Sequence, residues 1–216
     1  MQSVKTIIFD WDGTLHESIH IYFEAFLKGY QDLVESGVAP IKDWTKDEVS
    51  KFLGVSPKAL WDELLPYASD IDKKNASKTV GNYMLKAILE GHAKLYPEAK
   101  ALLTYLKNKG YSLIYLSNSN IYYMEAMRDF FHLEQYFDEF IVSETYKYIP
   151  KKEILKLIKP QLKAPMVMIG DRYLDIETGL ENGVKTIGCL YGYGSQEELK
   201  DADLIIYELK ELYHIF

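Results

Sequence analysis

The sequence predicts an α/β protein: a parallel β-sheet with helices on both faces, interrupted after its first strand by an all-helical block. Three observations predict it. An apolar run, Val4 to Phe9, ends abruptly beside two carboxylates, Asp10 and Asp12. From residue 16 to residue 91 only helical periodicity follows. Beyond that point short apolar runs alternate with amphipathic stretches, the pattern of parallel strands joined by helices. The first strand must join the later ones across the helical block. Residues 1–15 and 92–216 are therefore expected to form the α/β core, and residues 16–91 a helical insertion.

Within the block, "SIHIYFEAFLKGYQDLVES" repeats apolar residues at helical spacing. "TKDEVSKFLG" opens on a capping residue, Thr45, and closes at Gly54. "SPKALWDELLP" has Ser56 as cap, Pro57 at the first helical position and Pro66 as a stop. "DKKNASKTVGNYMLKAILEGH" is a fourth helix, and Trp44 and Trp61 are expected in the core of the block. The core then reads helix "PEAKALLTYLKNKG", strand "YSLIYLS", helix "NIYYMEAMRDFFHL" and strand "FDEFIVS". It continues as helix "KKEILKLIKPQL", strand "APMVMIGD", helix "LDIETGLENG" and strand "VKTIGCL", then a short helix "SQEELKD" and a last strand "ADLIIY".

At 216 residues, 48% hydrophobic and 26% charged, the chain has the balance of a soluble globular protein. A net charge of −7 lacks the basic face of a nucleic-acid binder, so none is expected as a partner. No apolar run reaches the roughly 18 residues of a membrane span. The first apolar run is too short and too broken by Asp10 and Asp12 to be a secretory signal. The single cysteine, Cys189, lies in an apolar run and is read as a buried small side chain. One thiol suits a reducing compartment, so a cytoplasmic location is expected.

Ligands of open α/β sheets bind beyond the carboxyl ends of the strands. Those ends carry Asp10 and Asp12, then Ser117 and Asn118, then Ser143 and Glu144, then Asp171. Charges so close to buried strands need a partner. Each has a simpler reading as a turn or capping residue. Ser143 and Glu144 are read as loop residues, Asp175 stands open as a solvated helix charge, and Arg172 as a surface ion-pair residue or one touching the helical block. His16 and His20 are read as linker or surface residues where that block begins.

Taken together, "DWDGTL", "LSNSN" and "IGDRYLDIE" resemble the motifs of haloacid dehalogenase-like phosphatases. "LYPEAKALLTYLKNKGY" is similar to that family's re-entry from cap to core, and "GYGSQEEL" with "ADLIIYELKEL" resembles the tail of its phosphoglycolate phosphatase-like members. The resemblance implies a Rossmann-like core with a helical cap and a Mg²⁺-dependent phosphatase acting on a small phosphorylated metabolite, phosphoglycolate first. Asp10 would be the nucleophile and Asp12 the general acid and base. Mg²⁺ would be held by the Asp10 carboxylate, the Asp12 carbonyl and Asp171, with Asp175 holding a bound water or a lysine. Ser117 and Asn118 would bind the phosphoryl oxygens, and the cap turn Gly54–Val55–Ser56 would read the substrate. A phosphosugar mutase or a pyrophosphatase on the same scaffold is the alternative.

The family's lysine is where the pattern breaks. It usually stands in a K-P-x-P-like segment after the third strand; here that segment is "SETYKYIPKKEIL". Aligned on the helix start, the position falls on Ile149; aligned as K-x-x-P, it falls on Lys147; Lys151 follows Pro150. The K-x-x-P spacing favours Lys147 over Lys151, and both are phosphate-binding candidates.

Overall fold

In a computed structural model, residues 3–216 are described. The chain divides into two compact units. One comprises the residues up to Glu17 with Leu95–Phe216, the other Ser18–Lys94.

The first unit is built on a six-stranded, all-parallel sheet. Its strands are β1 (Thr6–Phe9), β2 (Ser112–Ser117), β3 (Glu139–Val142), β4 (Met166–Gly170), β5 (Lys185–Cys189) and β6 (Leu204–Ile206). Every residue of β1 and β4 is buried. Successive strand residues point to opposite faces, so both faces of the centre are covered, which is why these runs are continuously apolar. One face packs Ile8, Ile114, Leu116, Ile141 and Met168 against Ile154, Leu155 and Ile158.

The strand order is β3-β2-β1-β4-β5-β6. The chain winds one way from β1 to β3 and the other way from β4 to β6. The reversal falls between β1 and β4, where a parallel sheet opens a crevice at its carboxyl edge. Phe9 pairs with Ile169 and the Asp10 N–H donates to the Ile169 carbonyl at 2.9 Å. Asp10 and Asp171 thus leave neighbouring strands side by side at that crevice.

The second unit holds α1 (Ile19–Glu35), α2 (Lys46–Ser50), α3 (Pro57–Leu64) and α4 (Asp70–Leu89). Its start signals act as their chemistry dictates: Thr45 and Glu48 form a reciprocal capping box, and Ser56 caps α3 with Pro57 in the first turn. Phe26 is ringed by Tyr22, Tyr30, Trp44, Phe52 and Trp61, with ring centroids between 5.1 and 6.1 Å. Trp61 is buried and Trp44 half-buried, so both belong to this core. Gly29 lets α1 and α4 approach closely, since a Cβ there would lie 2.9 Å from the Ala76 carbonyl. Among the described residues no helix is long and apolar enough to cross a membrane.

The other helices are α5 (Ala99–Asn108), α6 (Ile121–Phe131), α7 (Lys151–Ile158), α8 (Tyr173–Glu181), α9 (Gln196–Leu199) and α10 (Leu212–Ile215). α10 has no counterpart in the sequence reading. Only one turn long, it shows no periodicity to detect; Tyr213 anchors it edge-on to Tyr105 of α5.

Candidate active site

The loop after β1 is wound tightly. The Trp11 carbonyl accepts the N–H groups of Thr14, Leu15 and His16 at 3.0–3.2 Å, and Gly13 N–H donates to the His16 carbonyl at 2.9 Å. Gly13 has φ +84, and a Cβ on it would lie 2.1 Å from an Asp171 carboxylate oxygen. Both the backbone conformation and the close approach require glycine there.

Asp171 is fully buried. Its Oδ1 accepts from the Thr14 hydroxyl at 3.2 Å and its Oδ2 from the Tyr193 N–H at 2.7 Å. Gly192 and Gly194 press on it as well: a Cβ on Gly194 would sit 1.9 Å from the Asp171 carbonyl oxygen. The "GYG" of residues 192–194 is thus part of the seat of Asp171. In sequence that stretch shows only its resemblance to the family's tail.

Asp10 is 3% exposed, and Asp175, in the first turn of α8, is 1% exposed. Lys151 opens α7, and its ammonium donates to Asp10 Oδ1 at 2.7 Å and to Asp175 Oδ1 at 2.6 Å. Asp175 Oδ2 accepts from the Arg172 N–H at 3.1 Å, so both of its oxygens are engaged. Asp175 is therefore no solvated helix charge. It anchors the lysine that faces Asp10.

The preference for Lys147 over Lys151 is corrected at this point. Lys147 is exposed and ends a single 3₁₀ turn, Ser143–Tyr146, in the left-handed conformation. Tyr148 is left-handed too, with φ +57. These two residues turn the chain back before α7 begins, which shifts the lysine beyond Pro150. Ile149, the other alignment, packs against the apolar core beneath the sheet. Ser143 and Glu144 also do more than fill a loop: Ser143 Oγ donates to the Ser119 carbonyl at 3.4 Å, and Glu144 Oε2 accepts the first N–H of α6, from Ile121, at 2.8 Å.

Ser117 is buried at the end of β2, and its Oγ accepts the Ser119 N–H at 3.2 Å. Asn118 follows it, half-buried. Asp12 Oδ1 receives the Tyr123 hydroxyl at 2.5 Å and lies 3.3 Å from His16 Nδ1. His16 is fully buried and stacks on Trp11 with centroids 5.6 Å apart, so its reading as a linker or surface residue is corrected. Arg172 is 8% exposed and pairs with Glu198 at 2.9 Å.

The electrostatics point to a cation. Asp10, Asp171 and Asp175 can each present an oxygen within 4.8 Å of the others. Burial raises the Asp10 carboxyl to about 7; the Asp175 charge adds to this and Lys151 only partly offsets it. Burial, then Asp10 and Asp175, push Asp171 well above its usual range. Burial would lower Lys151, but the two carboxylates outweigh it and its pKa rises, so it stays an ammonium. Burial and then the Asp12 charge push the Tyr123 phenol well up, so it stays a donor. Three buried acids with one lysine leave an excess of negative charge, and Asp10 Oδ2 has no hydrogen-bond partner among the described residues. Oxygen donors of this kind fit a hard divalent cation.

Buried carboxylates that can seat a cation, at the switch point of a parallel sheet, mark this edge as the candidate active site. Comparison with known proteins gives the class, that of hydrolases of the phosphatase type. Residues 4–183 match the model of the haloacid dehalogenase-like hydrolases. The phosphoglycolate phosphatase of Aquifex aeolicus is 28% identical over 197 residues, 88% of this chain and 86% of that protein. That of Aliivibrio fischeri is 27% identical over 98% of this chain and 96% of its own length. The crystal structure of a "predicted phosphatase" from Clostridium acetobutylicum superposes with a TM-score of 0.85 at 26% identity, covering 98% of this chain and 97% of that one. The chain belongs to the haloacid dehalogenase-like hydrolase family.

Proposed function

We propose that this hydrolase removes phosphate from a small phosphomonoester through an aspartyl-phosphate on Asp10, with Mg²⁺ as cofactor. The observation that carries the reading is the Asp10 carboxylate, buried at the strand end with Oδ1 on Lys151 and Oδ2 without a partner. In the first half-reaction an Asp10 oxygen forms the bond to phosphorus as the bond to the leaving oxygen breaks. Asp12 gives its proton to that oxygen. In the second, water attacks phosphorus, Asp12 takes its proton, and the Asp10–phosphorus bond breaks to release inorganic phosphate.

Asp10 and Asp171, with the Asp12 carbonyl, would hold the cation. Bound there, it keeps Asp10 ionised and offsets the repulsion between carboxylate and substrate dianion. Lys151 serves the same end from the other side, steadied by Asp175. The Ser117 hydroxyl and the Asn118 backbone would bind phosphoryl oxygens. Lys147 has no part in the reading.

Phosphoglycolate is the first substrate to try, on the strength of two relatives named for it. The helical unit is assigned the choice among substrates. The one cysteine, fully buried, suits a reducing cytoplasm. The test is hydrolysis of p-nitrophenyl phosphate and of phosphoglycolate by purified protein. Activity restored by Mg²⁺ after chelation and abolished by Asp10→Asn is expected. Full activity in excess EDTA, or in the Asp10→Asn variant, overturns the reading.

A further inference from the structure

Two side chains that no motif marks converge on the acid/base. Tyr123 lies in the first turn of α6 and His16 ends the loop after β1; 107 residues separate them in sequence. The Tyr123 oxygen is 2.5 Å from Asp12 Oδ1 and 3.1 Å from His16 Nδ1, and that nitrogen is 3.3 Å from the same carboxylate oxygen. The phenol has one proton, and it lies between the two oxygens. A second proton is then needed between the imidazole and its two oxygen neighbours, so Nδ1 carries it. Asp12 Oδ1 accepts the phenol proton, and the Nδ1 proton is shared between that carboxylate oxygen and the phenol oxygen.

Neither donor is free to swing. His16 is stacked on Trp11 at an interplanar angle of 14° and meets Phe131 edge-on at 6.2 Å. Its backbone N–H and carbonyl are tied to Trp11 and Gly13. Tyr123 is held at both ends: its N–H donates to the Asn120 cap at 2.8 Å while its hydroxyl donates to Asp12. That cap belongs to the segment following Ser117 and Asn118, braced by Glu144. The phenol therefore links the segment proposed to hold phosphate to the carboxylate proposed to move the proton.

We propose that Tyr123 and His16 are positioning residues that fix the Asp12 carboxyl in the orientation from which it protonates the leaving oxygen. The inference rests on Asp12 being the acid/base. An acid already aligned reaches the leaving oxygen without a search through rotamers, and misalignment costs rate in the step where the proton moves. That cost depends on the leaving group. An alkoxide must be protonated as it departs; a nitrophenolate departs without help.

The test uses kcat/KM, which covers the steps through departure of the leaving group, for glycerol 3-phosphate and for p-nitrophenyl phosphate. Tyr123→Phe keeps the ring and removes the hydroxyl. A loss of about tenfold on the alkyl phosphate is expected, the order of one hydrogen bond to a charged group. The aryl phosphate should lose less than about threefold, which also shows that the variant is folded with its site intact. His16→Phe keeps the stack on Trp11 and should show the same bias, while His16→Asn, which can present an amide N–H near the Nδ1 position, should regain part of the alkyl activity. Asp12→Asn is the reference. If it shows the alkyl-selective loss and Tyr123→Phe does not, or if Tyr123→Phe lowers both substrates equally, the positioning role is overturned and Asp12 stands. If Asp12→Asn itself shows no alkyl bias, the acid/base reading falls, and this inference falls with it.

Discussion

Replacing Lys151 by methionine removes the only ammonium that touches the buried acids among the described interactions, and the consequence should depend on pH. The lysine side chain is 3% exposed and contacts Asp10 and Asp175 at 2.7 and 2.6 Å. Removing one partner of a buried pair costs about 3–5 kcal/mol, because the remaining charges stay desolvated. Those charges can escape by taking up protons. Asp10 sits at about 7 against an ordinary 3.8 even with the lysine present. Between those values the folded state binds more protons than the unfolded one, so stability falls as pH rises through the window. For Asp10 alone that gap corresponds to about 4 kcal/mol between acid and alkaline ends, at 1.36 kcal/mol per pH unit. The lysine opposes this loss only where the acids are ionised. Its own raised pKa means that its contribution is lost only above the ordinary lysine range. Urea unfolding in EDTA should therefore show Lys151→Met destabilised by about 3–5 kcal/mol at pH 8 and by clearly less at pH 5, where Asp10 has taken up a proton and only the contact with Asp175 is still lost. Lys147→Met, at an exposed position, should stay within about 0.5 kcal/mol at both. A Lys151 penalty that is the same at both pH values, or one matched by Lys147→Met, would refute the reasoning.

Other outcomes follow from the same charges and contacts. Asp10→Asn should abolish turnover yet unfold in EDTA at pH 8 at a higher urea concentration than wild type, since it deletes one charge from a crowded buried set; loss of both activity and stability would count against it. Mg²⁺ at about 100 times its dissociation constant should add about 2.7 kcal/mol, raising Tm by roughly 5–10 °C, and Asp171→Asn should remove most of that shift. Gly13→Ala, with a Cβ 2.1 Å from the Asp171 carboxylate and φ at +84, should lower kcat by at least about 100-fold and blunt the Mg²⁺ shift in calorimetry. Phe26→Ala, at the centre of the helical unit's aromatic cluster, should cost about 3–5 kcal/mol by denaturant titration.

Much of the core was legible because burial leaves a one-dimensional trace. Strands covered on both faces must be continuously apolar, so a carboxylate at the end of such a run stands out. Asp10 after "TIIF" and Asp171 after "MVMIG" were visible for that reason. Helix starts at Thr45 and Ser56 were visible because an N-cap needs a side-chain acceptor at one defined position. Ser117, the serine that ends β2, was visible on the same logic of strand ends.

What the sequence could not decide were distances between residues far apart along the chain. Whether Lys147 or Lys151 meets Asp10 depends on two left-handed residues, Lys147 and Tyr148, whose conformation no spacing rule anticipates. The burial of Asp175 depends on α8 starting where its side chain can reach Lys151. His16 looked like a linker because a lone histidine carries no pattern. It is buried because Trp11 offers it a stacking face and Tyr123 arrives from α6 to share Asp12. By itself, then, the sequence determined the alternation of elements and the acids that end the strands, since local burial and capping are written residue by residue. Only the tertiary structure decided which lysine faces Asp10 and what holds the Asp12 carboxyl in place, since those contacts form only when distant segments pack together.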